Sequence, residues 1–167
     1  ARAANVQRYA PDVPVYSDVE KCLSETRPDI VIIAASTGTH KDLVQSACSA
    51  GVSMIVCEKP LCRNVSEAEA LRAAVVKVGN TFVLNYQRRF FPLFQQVRDE
   101  LSRGRIGRIQ QISSYYSNGL YNNAGHLLDA ILFLTGDRAI SASGTFNESN
   151  SMSPEDDRNI DGIVQLV

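Results

Sequence analysis

Three short apolar runs mark the first half of the chain: Asp29-Ile30-Val31-Ile32-Ile33-Ala34-Ala35, Ser53-Met54-Ile55-Val56-Cys57 and Thr81-Phe82-Val83-Leu84-Asn85-Tyr86. The first two are continuous and largely aliphatic, which predicts strands buried on both faces, as in a parallel sheet. The segments between them have helical spacing. Ser17 and Ser66 each precede a glutamate by three residues, Glu20 and Glu69, so capping boxes are expected to open helices over 18–26 and 66–78. A third helix is expected over 40–50, with Leu43, Val44 and Ala47 on one face and Gly51 closing it. Residues 1–9 have helical composition, and Pro11 and Pro14 punctuate the loop after them. Strand and helix therefore alternate over 15–86, the pattern of a doubly wound parallel α/β sheet.

After Tyr86 the pattern changes. Phe94, Val97 and Leu101 share one face of a helix expected over 91–103, and Gly104 and Gly107 bracket a turn. Residues 106–117 alternate in part, Ile106, Ile112 and Tyr116 against Arg108, Gln110 and Ser114, which predicts a long strand. A helix comes next over 125–134, ended by Gly136, and then strands over 141–146 and 160–167. This second half reads as the start of an α+β domain with an antiparallel sheet.

Composition narrows the function classes. The 167 residues carry a net charge of −1 with no basic block, which speaks against nucleic acid as a partner. No run approaches the roughly 20 apolar residues of a membrane helix, and the polar first ten residues do not read as a signal peptide. Cys22, Cys48, Cys57 and Cys62 match no zinc-binding spacing. They read as reduced core residues, with no metal site and a cytoplasmic location.

The loops at the carboxyl ends of the strands, 36–40, 57–62 and 85–90, should share the edge where such sheets bind ligands. Lys59, in Glu58-Lys59-Pro60, leaves a buried strand at that edge. A lysine there can lose solvent and give or take a proton, although the same residues also make an ordinary surface turn. His40 can present its ring to a cofactor or simply pack locally. His126 has Asn122 four residues before it and Asp129 three after, so on a helix these polar groups can share a face and suit a general acid/base.

Five stretches, in this order, resemble the Gfo/Idh/MocA family of nicotinamide-dependent oxidoreductases, which includes glucose–fructose oxidoreductase and inositol dehydrogenase. They are Ile32-Ile33-Ala34-Ala35-Ser36-Thr37-Gly38-Thr39-His40, Glu58-Lys59-Pro60, Asn85-Tyr86-Gln87-Arg88-Arg89-Phe90 with Pro92, Gly104-Arg105-Ile106-Gly107, and Gly125-His126-Leu127-Leu128-Asp129. The resemblance implies an α/β fold: an incomplete Rossmann-like parallel sheet over 1–88, then the start of an α+β domain over 89–167. It implies hydride transfer between NAD or NADP and a sugar, polyol or nucleotide-sugar alcohol. Lys59 would be the catalytic lysine and His126 the acid/base. Asn122 stands where many members carry an aspartate, and can orient an imidazole but not raise its basicity through charge. That departs from the polyol-dehydrogenase pattern and is compatible with branches acting on sugars or nucleotide sugars. Ser36, Thr37, His40, Glu58, Lys59 and Gln87 would line the nicotinamide half of the cofactor. Arg88 and Asn123 would face the substrate, and the second domain's sheet would form a homo-oligomer.

The sequence contains no Gly-x-Gly-x-x-Gly turn, the element that cradles the pyrophosphate at a helix N-terminus. These 167 residues are therefore expected to be an incomplete and inactive portion of the enzyme. The alternative is a non-catalytic remnant that self-associates or binds a ligand.

Overall fold

A computed structural model describes residues 6, 8–147 and 157–167 of the chain. The segment of helical composition over 1–9 lies outside the described residues except at 6, 8 and 9. The chain forms two compact units that divide between Asn85 and Tyr86.

In the first unit, β1 (Ile30–Ile33), β2 (Met54–Cys57) and β3 (Thr81–Leu84) form a parallel sheet in the order β1-β2-β3. Ile33 pairs with Cys57 and Cys57 with Leu84, so the three strands end level. Helices α1 (Val19–Thr26), α2 (Thr37–Ser49) and α3 (Val65–Val78) connect and flank them. Two caps differ from expectation. Asp18, not Ser17, caps α1, its carboxylate accepting from Lys21 N at 2.6 Å. Asn64 caps α3, accepting from Glu67 N at 2.9 Å, while the Glu67 carboxylate accepts from Arg63 N at 3.0 Å. Ser66 already lies inside that helix, so the capping chemistry sits two residues earlier than Ser66 and Glu69 suggested. α2 begins at Thr37, where Thr39 N donates to Ser36 O at 2.9 Å, so its first turn includes residues expected in a loop. Gly51 comes just after its C-cap with φ +74°, a conformation that costs glycine nothing.

The core lies on one face of the sheet. Ile33, Ile55 and Cys57 cluster there with Leu23 of α1, Val44, Ala47 and Cys48 of α2, and Leu71 of α3. The expectation of burial on both faces fails for β1: Ile30 and Ile32 are 54% and 72% exposed. They alternate with Val31 and Ile33, which pack into the core, and among the described residues nothing covers their face.

The second unit opens with a 3-10 turn, Gln87–Phe90, and α4 (Pro92–Ser102), with Pro92 in its first turn. A π turn, Leu120–Ala124, leads into α5 (Gly125–Thr135), which packs on α4. β4 (Ala139–Asn147) and β5 (Asn159–Leu166) pair antiparallel. The strand expected over 106–117 does not form. Gly104 and Gly107 do make a turn, Gly107 N donating to Gly104 O at 3.0 Å, but no strand among the described residues pairs with residues 108–117. A strand is held by its ladder, and an alternating pattern without a partner does not create one. Ile106 and Tyr115 are accordingly exposed.

Leu71 is 1% exposed and Val76, on the same helix, 73%. Urea unfolding should show Leu71→Ala losing about 2–5 kcal/mol. Val76→Ala should change stability by no more than about 0.5 kcal/mol.

Candidate active site

In the first unit the level strand ends place Ser36, Glu58 to Pro60 and Asn85 along one edge of the sheet. Backbone bonds continue the ladder there: Glu58 N donates to Ile33 O at 2.9 Å and Asn85 N to Cys57 O at 2.8 Å. Two side chains fasten the loops to each other. Asn85 Nδ2 donates to Glu58 Oε1 at 2.5 Å. His40 is 1% exposed, with Nδ1 at 3.0 Å from Pro60 O and Nε2 at 3.1 Å from Ala35 O. Its ring thus spans the loops after β1 and β2, and both ring nitrogens face carbonyl oxygens. Of the two roles open to His40, the local one is what these contacts support. The Lys59–Pro60 peptide beside it is cis. Lys59 is half-buried, and Gln87 begins the 3-10 turn with an exposed side chain. An open cavity of about 700 Å³ lies at the other edge of this sheet, bordered by Lys21, Arg27, Asp29 and Ser53. It is away from the strand ends that gather the polar side chains.

The cysteines behave as core. All four are free thiols, and Cys57 is fully buried. Burial, with the charges of Glu58 and Cys62 adding to it, pushes the Cys57 thiol up to about 11.

In the second unit His126 stands in the first turn of α5 and is 8% exposed. The Tyr86 ring meets it edge to face, with centroids 5.7 Å apart and planes at 84°. Asp129, three residues along the same helix, is 8% exposed. It is held by Arg89, whose Nε lies 2.8 and 2.9 Å from its two oxygens and whose Nη2 lies 2.5 Å from Oδ1. This bidentate bond raises the Arg89 pKa further, so its charge is permanent. The Arg89 guanidinium also lies over the Phe133 ring, 5.7 Å from its centroid. Asn122 belongs to the π turn before α5, and Asn123 Nδ2 donates to Ser117 O at 2.8 Å. Arg88 is half-buried in the 3-10 turn. Sequence reasoning passed over Tyr86 and Arg89 as anchors of the His126 helix. Their only signal was position: both lie directly after β3, where the chain enters the second unit.

Residues 1–86 match the model of the oxidoreductase family GFO_IDH_MocA, described as having an NAD-binding Rossmann fold. The chain belongs to this family. It is 31% identical over 134 residues to inositol 2-dehydrogenase of Rhizobium meliloti, covering 70% of this chain and 39% of that protein. It is 30% identical over 159 residues to D-apiose dehydrogenase of Paraburkholderia graminis, covering 85% and 42%. The fold matches apo scyllo-inositol dehydrogenase of Lactobacillus casei with a TM-score of 0.79 at 20% identity, over 90% of this chain and 49% of that one. The chain thus spans about two fifths of the length of these curated relatives.

The strand-end loops carry polar side chains that can hydrogen-bond the hydroxyl and amide groups of a ligand. Ser36 and Thr37 bring hydroxyls and Lys59 an ammonium, and the Glu58 carboxylate is held by Asn85. Among the described residues no group of three or more metal-binding side chains forms, and no helix is long and apolar enough to cross a membrane.

The raised Cys57 thiol predicts an alkaline loss of stability. Its proton is retained in the folded chain at pH values where the unfolded thiol, near 9, has ionised. The stability is fully present below about pH 9 and is lost as pH rises toward 11. A shift of this size is worth up to about 3 kcal/mol. Comparing wild type with Cys57→Ala by unfolding between pH 8 and 11 should show a flatter profile in the variant.

Proposed function

We propose that the complete protein is an NAD- or NADP-dependent oxidoreductase acting in the cytoplasm on a CH–OH group of a sugar, polyol or nucleotide sugar. What supports this reading most is the strand-end edge: Lys59 leaves β2 level with the ends of β1 and β3, in a family of NAD-binding Rossmann oxidoreductases. The names of two relatives, inositol 2-dehydrogenase and D-apiose dehydrogenase, point to polyhydroxylated substrates.

Residues 1–88 would hold the cofactor through Ser36, Thr37, Glu58, Lys59 and Gln87, with His40 supporting their loops. Residues 89–167 would hold the substrate, with Asn123 contributing from within them and Arg88 from just before them, and would associate with further copies through the β4–β5 sheet. When bound, the nicotinamide ring supplies the hydride acceptor. Oxidation of an alcohol then needs a group to take the hydroxyl proton and another to hold the oxygen as the carbonyl forms. An imidazole suits the first task near neutral pH, its ordinary pKa being about 6.5. An ammonium suits the second, as a compact charged donor. His126 is therefore assigned as the base, Lys59 as the oxygen-holding group and Asn122 as the residue that orients the imidazole.

In the complete protein, assayed by cofactor reduction with a panel of sugars and polyols, His126→Ala and Lys59→Ala should each lower kcat by about 10²–10⁴-fold. Cofactor affinity should hardly change in the His126 variant, and Asn122→Ala should do less harm. Near-normal turnover by His126→Ala on the best substrate would return His126 to a structural role.

A further inference from the structure

Residues 157–160 grip the turn that delivers His126. Asp157 Oδ1 accepts from Tyr121 N at 2.8 Å and Oδ2 from Asn122 N at 3.0 Å. Arg158 O accepts from Leu120 N at 3.1 Å, and Asn159 Oδ1 accepts from Gly119 N at 2.9 Å. The four consecutive amides from Gly119 to Asn122 are thus bound by three consecutive residues some 35 to 40 positions away. One residue further, the Tyr116 hydroxyl donates to Ile160 O at 2.8 Å and accepts from Ile160 N at 2.6 Å.

The fit is close. Gly119 has φ +90°, and a Cβ there would overlap the Asp157 carboxylate. Asp157 and Asn159 are 9% and 5% exposed, so both are polar groups taken out of water. A buried carboxylate is tolerated where it accepts charge-assisted bonds, and here both oxygens do so from backbone amides. The turn they hold runs without a break into α5. Asn123 N and Ala124 N both donate to Gly119 O, at 3.1 and 3.2 Å, and Gly125 N donates to Leu120 O. π turns are rare, and those that occur are frequently found at functional sites.

We propose that Asp157 is a positioning residue for the reaction assigned above: by holding the Leu120–Ala124 turn from its amino end it fixes where Asn122 and His126 are presented. Both of its oxygens are committed to backbone amides, so it acts only through the residues of the turn. The inference rests on the assigned role of His126, but its structural half can be tested apart from that role.

The test is Asp157→Asn in the complete protein, which keeps the shape but turns one acceptor into a donor facing an amide. The expected result is a fall in kcat of about 10- to 100-fold, the scale of a misplacement of about 1 Å, with KM for the cofactor within about twofold. In the same variant the Tyr121 and Asn122 amides should lose protection from hydrogen exchange. The ring nitrogen signals of His126 in a 15N-histidine-labelled sample should move, while those of His40 stay. The exposed Asp137→Asn serves as the charge-loss control and should leave all three readouts in place. A kcat within twofold of wild type, or His126 ring signals that do not move, would overturn the proposal and leave Asp157 a purely stabilising residue. Should Asp157→Asn not fold, the wild type still decides: Tyr121 and Asn122 amides that exchange as fast as exposed ones would overturn it. Absence of any turnover in the wild type would instead count against the proposed function, and the His126 signals would still report on Asp157.

Discussion

The level ending of three parallel strands is the constraint on which the first unit's site depends. Ile33, Cys57 and Leu84 occupy one register line, and the next backbone amides, Glu58 N and Asn85 N, each bond one strand back. A slip of one residue in β2 would turn Cys57 away from the core and move Lys59 to the opposite side of the strand. The core prevents this, because Ile55 and Cys57 are completely buried on the same face while Met54 and Val56 lie on the other. Hydrophobic burial thus sets the register, and the register sets the direction in which the lysine leaves the sheet. The His40 ring and the Glu58–Asn85 bond then tie the emerging loops together at atomic distances.

The second unit reaches a comparable result with polar contacts. α5 brings His126 inward and is held on two sides. Arg89 grips Asp129 one turn further along the helix, and Asp157 grips the preceding turn. Such contacts have strict distance and angle requirements, so they fix orientation more sharply than apolar packing of the same area. Arg89 and Asp157 therefore constrain the two ends of one short segment.

The parallel strands, the connecting helices and the strand-end loops could be read from the chain because their signals are local. Aliphatic runs of four to six residues, helical spacing and capping residues all lie within a few positions of one another. The caps slipped by one or two residues because Ser17 neighbours Asp18, and Asn64 lies two before Ser66, so each start had two competent oxygens close together. The segment 106–117 was misread for a different reason: alternation signals a preference, and a ladder needs a partner strand. The hold of Asp157 on Tyr121 and Asn122 was invisible because it joins residues some 35 positions apart. Its only local trace is Gly119, whose positive φ a sequence does not reveal. For His40 the sequence allowed either a ligand or a packing role, and it took the positions of two carbonyl oxygens to favour the second.

On the proposed function, this chain supplies the acid/base and the oxygen-holding groups for hydride transfer from a CH–OH carbon. Isotope transfer in the complete protein tests that role most directly. A sugar or polyol substrate carrying deuterium on the reacting carbon is oxidised in ordinary water, and the reduced cofactor is examined by mass spectrometry. Deuterium should appear on the nicotinamide ring without exchange with solvent, and turnover should be slower than with the unlabelled substrate. Reduced cofactor free of deuterium would contradict direct hydride transfer and the roles assigned to His126 and Lys59.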